Sequence, residues 1–178
     1  MDTTIISAFP GMGKTYFYNN ANGITIADSD SSKYSWIYHD DGTKERNPEF
    51  PKNYIEHIKS LIGKVEYIFV STHEEVRNAL FDNKIPFIVV YPDTCLKSEF
   101  IERYKNRGSD EAFVKLMDEK FEEWVEGIYD WIKDKTRSYS DHKVIGIQTF
   151  KADYYIGDVI NHKDFAVYKH LYRVSEIK

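Results

Sequence analysis

The chain has 178 residues, 42% of them apolar and 30% charged, a balance that suits one soluble globular domain and excludes a disordered one. With 24 Lys and Arg against 29 Asp and Glu its net charge is −5, so no global basic field draws it to nucleic acid. The single cysteine, Cys95, excludes an internal disulfide, favours a reducing compartment and, with no motif around it, is a bystander. Short apolar runs then alternate with helical patterns, which predicts a parallel α/β sheet. Thr3 to Ala8 is the first strand, and a helix from Gly13 to Asn20 follows it. A turn at Asn22-Gly23 introduces a second strand over Gly23 to Asp28.

Residues 38 to 51 read as a polar loop. Ile55, Ile58 and Ile62 fall at helical spacing from Lys52 to Ile62, with Gly63 as the C-cap. Glu66 to Ser71 is the third strand, Glu74 to Asn83 a helix, and Pro86 to Tyr91 the fourth strand. A charged helix from Leu96 to Asn106 ends at Gly108, and Ser109 or Asp110 caps the next one. That helix carries Phe113, Leu116/Met117, Phe121, Trp124/Val125, Ile128 and Trp131/Ile132 as a packing stripe rather than a cofactor box. Lys143 to Gln148 is the fifth strand, and the tail holds one terminal helix over Asp158 to Tyr168. The expected fold is α/β, with a five-stranded parallel sheet flanked by helices. One domain covers 1–178, with a small helical lid at about 96–110.

The segment Ala8-Phe9-Pro10-Gly11-Met12-Gly13-Lys14-Thr15 fits the Walker A pattern, with Ala8 in place of its first glycine. The pattern needs a tight turn whose backbone N–H groups face phosphate oxygens, directly before a helix. Gly11 and Gly13 supply the turn, Pro10 and Met12 complete it, Lys14 reaches the β- and γ-phosphates, and the Thr15 hydroxyl ligates Mg²⁺. A nucleoside triphosphate, ATP, and Mg²⁺ are the implied cofactors.

Asp28-Ser29-Asp30 falls just past the second strand, where strand ends line the ligand crevice of a parallel sheet. A carboxylate there accepts a proton from an attacking hydroxyl or helps hold Mg²⁺; strand-end position favours Asp28, and the competing role is to cap a short helix. Arg103 and Arg107 lie four apart on one helix face, placed to stabilise charge on a transferred phosphoryl group. The competing role is a solvated face with a Glu99–Arg103 pair. Base selection is expected near the fifth strand, at Thr149 or Phe150.

On these residues, with Tyr91-Pro92-Asp93 and Glu102 to Gly108, the chain resembles the small P-loop nucleoside and nucleotide kinases. More closely it resembles an adenylate-kinase-like group of phage and Firmicutes proteins. The resemblance implies a five-stranded parallel sheet with a lid after the fourth strand. It assigns Lys14 and Thr15 to phosphate and Mg²⁺, and Arg103 and Arg107 to the lid. Polynucleotide kinases of this type place a catalytic aspartate after the second strand, at Asp28 or Asp30 here. The chain departs at the end of the third strand, where Ser71-Thr72-His73 stands in place of a metal-shell aspartate and Glu74 is the first carboxylate. His73 is read as a surface or capping residue.

The leading expectation is transfer of the ATP γ-phosphate to a nucleoside or nucleotide. Transfer to a DNA or RNA hydroxyl ranks second because of the net charge, although Lys33, Lys44 and Arg46 form a local patch. A non-catalytic nucleotide-binding protein is the third reading. No secretory signal or membrane span is visible, so a cytoplasmic location without a membrane partner is expected.

Overall fold

The computed structural model describes residues 1–138 and 144–174. Strand β1 (Thr3–Ala8) is buried along its whole length; two of its hydroxyls bond carbonyls, Thr3 Oγ1 donating to Val65 O at 2.6 Å and Ser7 Oγ to Ser71 O at 2.9 Å, while Thr4 Oγ1 is buried without a partner among the described residues. A glycine loop leads into α1 (Lys14–Asn20), followed by β2 (Ile26–Asp28) and the single turn α2 (Ser32–Ser35). The hairpin β3 (Trp36–Tyr38) and β4 (Lys44–Arg46) comes next, then α3 (Lys52–Leu61), β5 (Tyr67–Val70), α4 (Glu74–Asp82) and β6 (Phe87–Pro92). A 3-10 turn (Thr94–Leu96) opens α5 (Lys97–Asn106), before α6 (Glu111–Ser138), β7 (Val144–Thr149), α7 (Ile156–Asn161), α8 (Phe165–Leu171) and β8 (Arg173–Val174).

The sheet runs β2-β5-β1-β6-β7, all parallel, flanked by helices. A sixth strand corrects the expected five: β8 lies antiparallel to the start of β1, Thr3 opposite Val174 and Thr4 opposite Arg173. After β1 the chain crosses toward the β2 edge; after β2, β5 and β6 it moves the other way. The carboxyl end of β1 is therefore flanked by connections that diverge, which is where open parallel sheets bind ligands.

Right-handed crossovers then put α1 on one face and α3, α4 and α6 on the other. Side chains agree. Phe17 of α1 meets Phe69 edge-on at 6.0 Å, and Lys169 of α8 sits over Tyr67 at 4.7 Å, Tyr67 and Phe69 being on one face of β5. On the opposite side Trp131 of α6 packs against Phe87 at 6.1 Å and donates to Asn78 Oδ1 of α4 at 2.7 Å. α6 approaches β7 closely because Gly146 is there: a Cβ would lie 2.6 Å from Ile132 Cδ1.

Most of the α6 stripe is core: Met117, Phe121, Val125, Ile128 and Trp131 are buried and Phe113 and Ile132 partly so, whereas Leu116 and Trp124 turn to the surface. Phe121 joins it to the glycine loop, with Phe9 at 5.4 Å and Phe100 of α5 at 5.5 Å. Phe121→Ala is expected to cost about 3–5 kcal/mol, read as a lowered urea midpoint, through the cavity it leaves.

Several boundaries differ from expectation. β2 begins at Ile26, since Thr25 O accepts from Glu66 and Tyr67 N and ladder pairing starts only beyond it. Residues 38–51 are not all loop: the hairpin pairs Trp36 with Arg46 and Tyr38 with Lys44 around Asp40-Asp41-Gly42. The tail has two helices, because His162 turns to extended backbone after Asn161. Asp110 caps α6, accepting from Phe113 N at 2.8 Å. Lys143, read as the start of the fifth strand, lies outside the described residues.

Candidate functional site

The loop between β1 and α1 is built on two left-handed glycines, Gly11 at φ 85° and Gly13 at φ 81°. Both are also crowded. A Cβ on Gly11 would lie 2.9 Å from the Tyr104 ring, and one on Gly13 would lie 3.2 Å from the Tyr155 ring. Three further contacts hold the loop's carbonyls: Tyr104 OH donates to Pro10 O at 2.8 Å, an Arg103 amino group to Gly11 O at 3.1 Å, and Ile156 N to Met12 O at 2.8 Å. Met12 is fully buried beneath it.

Lys14 heads α1 and folds back over the loop, its Nζ donating to Ala8 O at 2.5 Å and to Phe9 O at 3.4 Å. The residue as a whole is half-buried, but its ammonium is enclosed. That burial pulls the ammonium down to about 8, with Asp28 and Asp30 opposing the shift and Arg107 adding to it. Beside it Thr15 Oγ1 donates to Asp28 Oδ2 at 2.8 Å, joining the head of α1 to the end of β2.

The two candidate aspartates separate here. Asp30 is engaged as a cap, accepting from Ser32 N at 2.9 Å and Ser32 Oγ at 2.8 Å at the start of α2. Asp28 keeps only the Thr15 hydroxyl among its described side-chain partners and lines the cleft with Lys14.

Segment 96–110 packs directly on the loop. Phe100 and Tyr104 of α5 are fully buried, and Arg103 is clamped between the Phe100 ring at 4.4 Å and the Tyr155 ring at 4.2 Å. The Arg103 side chain is only 9% exposed, so it is not the solvated face of the competing reading, although the Glu99 pair of that reading forms, 3.5 Å from its Nε. One terminal nitrogen, Nη2, is buried without a hydrogen-bond partner among the described residues. Arg107, one turn on, donates to Ser109 Oγ at 2.8 Å and faces the same cleft from its exposed rim.

After β5, His73 Nδ1 lies 3.5 Å from Ser31 Oγ, and burial holds its imidazole below the usual value. Ser71 Oγ is buried without a partner among the described residues, while Glu74 opens α4 on the surface. Thr149 and Phe150 do not join the cleft: Thr149 is buried against Tyr91 O, and Phe150 is 64% exposed. Cys95 is exposed and remote from it.

Pro10, Gly11, Gly13, Lys14, Thr15, Asp28, Asp30, Arg103 and Arg107 thus surround one open cleft of about 1860 Å³ at the carboxyl end of β1. Sequence reasoning missed Tyr104 and Tyr155, which brace the glycines, and Trp36, which lines the far wall. The buried aromatic position in α5 carried a signal for Tyr104; Tyr155 lies in the weakly patterned tail and carried none. Comparison of the sequence with protein-family models and with curated proteins gives no match. Among the described residues no helix is long and apolar enough to cross a membrane.

Proposed function

We propose that the protein is a P-loop phosphotransferase that moves the γ-phosphate of ATP to a nucleoside or nucleotide acceptor, free or at the end of a strand. The observation that carries this reading is the meeting of Lys14, the Thr15–Asp28 pair and two arginines in one cleft at the diverging point of a parallel sheet.

The residues present suit a polyphosphate. Among the described residues the enclosed Lys14 ammonium donates to carbonyls alone, and its proton affinity is depressed, so a phosphate oxygen would relieve its desolvation. The orphaned Nη2 of Arg103 is a second buried donor at the same place. Thr15 Oγ1 and the Asp28 carboxylate are hard oxygen donors of the kind Mg²⁺ takes together with phosphate oxygens. When bound there, Mg²⁺ would supply neutralising charge for the β- and γ-phosphates.

In the transfer, an acceptor oxygen forms a bond to the γ-phosphorus as the bond to the β–γ bridging oxygen breaks. ADP leaves with that electron pair. For a hydroxyl acceptor, the proton passes to the Asp28 carboxylate. Lys14 and Arg103 hold the phosphates throughout, while Arg107 on the rim adds positive charge near the transferred group. His73 is not given the proton, since Ser31 Oγ lies beside its Nδ1 and desolvation, with the nearby Arg46, Arg77 and Lys14 charges, lowers its basicity.

The test is a titration of Mg·ATP at several pH values. An anion binds the protonated ammonium, so the Lys14 contribution is full below about 8 and is lost as the pH rises through it. Affinity is expected to fall above pH 8 by up to about tenfold per pH unit. A flat profile to pH 10, or no binding, would remove Lys14 from the phosphate site.

A further inference from the structure

The hairpin beyond the cleft sorts its side chains by face. Directly opposed residues of an antiparallel pair point the same way, and alternate residues point oppositely. Trp36 opposes Arg46 and Tyr38 opposes Lys44, so these four share one face; Ile37 opposes Glu45 on the other. His39, in step with Ile37, meets Glu45 at 3.5 Å on that second side. Each pair on the first face combines one aromatic ring with one cation. Lys44 Nζ lies 4.7 Å from the Trp36 centroid and the Arg46 guanidinium 5.6 Å from it. A second ring, Phe50, lies 4.7 Å from that guanidinium, and Glu75 pairs with Arg46.

The position of this face matters. Trp36 and Arg46 line the cleft shared by Asp28 and Lys14, together with Lys33, whereas Tyr38 and Lys44 lie beyond its rim, Tyr38 being 64% exposed. The ring-and-cation motif therefore repeats along a path leading out of the site. Successive alternate residues of a strand lie about 6.6 Å apart, so the rings offer separate platforms rather than one. A free nucleotide, with one base and one phosphate group, would use only the inner pair.

We infer that the acceptor is the end of a single-stranded nucleic acid, whose terminal nucleotide enters the cleft at Trp36 and Arg46 and whose next nucleotide rests on Tyr38 and Lys44. Alternating rings and cations match alternating bases and phosphates, and stacking on rings accepts any base. Locally this face carries Lys44 and Arg46, while Glu45 and His39 occupy the opposite face of the hairpin. The inference rests on the phosphotransferase reading for its chemistry, but strand binding is measured without ATP.

The experiment is fluorescence anisotropy of a 3′-labelled, 5′-hydroxyl dT10 on the full chain at low salt, with no nucleotide present. Binding is expected to weaken about tenfold in Tyr38→Ala and in Lys44→Glu, and unlabelled dT2 should compete far better than thymidine or its monophosphate. Both variants should bind Mg·ATP as the wild type does, showing that they are folded. Unchanged dT10 affinity in the variants would overturn the inference, as would equal competition by the mononucleotide or by polyglutamate. Loss of Mg·ATP binding in Lys14→Met has no bearing on the dT10 result, so failure of the phosphate site and failure of the strand site are told apart.

Discussion

Lys14→Met is expected to abolish triphosphate binding while leaving the free protein at least as heat-stable as the wild type. The two halves share one cause. The ammonium is enclosed on the loop, with Ala8 O and Phe9 O as its acceptors, and its proton affinity is lowered chiefly by loss of water. A basic group whose folded value is depressed below its unfolded one destabilises the fold while it stays charged. That penalty is complete below about 8 and fades as the pH rises toward the unfolded value of 10.5. Methionine keeps most of the stem and removes the charge. Charged hydrogen bonds to phosphate are worth about 1.5–3 kcal/mol each, so losing two lowers affinity at least roughly 100-fold. Calorimetry of Mg·ATP binding and a thermal melt at pH 7 test both halves. A variant that melts well below the wild type would mean that the ammonium holds the loop together, and a variant that still binds would place the phosphates elsewhere.

Asp28→Asn is expected to lower phosphoryl transfer by about 100- to 10,000-fold, well beyond any loss of Mg·ATP affinity, since the amide oxygen still offers Mg²⁺ a neutral oxygen donor. Asparagine can still accept the Thr15 hydroxyl bond at this position, so the geometry survives, but it cannot take a proton. Asp30→Asn is the matched control. Its carboxylate caps α2 through Ser32, and asparagine caps nearly as well, so turnover should stay within a few-fold. Equal losses in the two variants, followed by initial rates at saturating ATP, would mean that the proton acceptor is not Asp28.

Much of this was legible in the chain, for identifiable reasons. Strands buried on both faces, such as Phe87 to Pro92, read as unbroken apolar runs, and their burial is complete. Gly11 and Gly13 announced a backbone that only glycine adopts easily, and both have positive φ. The hairpin was not legible as a strand pair, because three-residue strands with exposed side chains lack the length on which alternation depends. Its signal was local: Trp-Ile-Tyr followed by Asp-Asp-Gly is a β-prone run before a turn. β8 was invisible for a stronger reason, since two residues pairing 170 positions away with Thr3 and Thr4 leave no periodic trace.

The division of labour between Asp28 and Asp30 also lay beyond sequence. Both are acidic residues past a strand, and what separates them is that Thr15, thirteen residues earlier, reaches one while Ser32 reaches the other. The arginines show the same limit. Their spacing predicted a shared face, but only packing shows Arg103 clamped between Phe100 and Tyr155 while Arg107 stays at the rim. Segment 96–110 was read as a lid; its aromatic residues are packed into the floor of the site, so any closing motion must be smaller than a hinged flap would allow.

The most direct measurement is label transfer from γ-labelled ATP, with Mg²⁺, to a panel of nucleosides, nucleoside monophosphates and 5′-hydroxyl oligonucleotides, run beside Lys14→Met and Asp28→Asn. The account predicts labelled acceptor with the wild-type protein, foremost the oligonucleotide, and none above background with either variant. Binding of ATP with no labelled acceptor of any kind, or label transfer that survives in both variants, would contradict it.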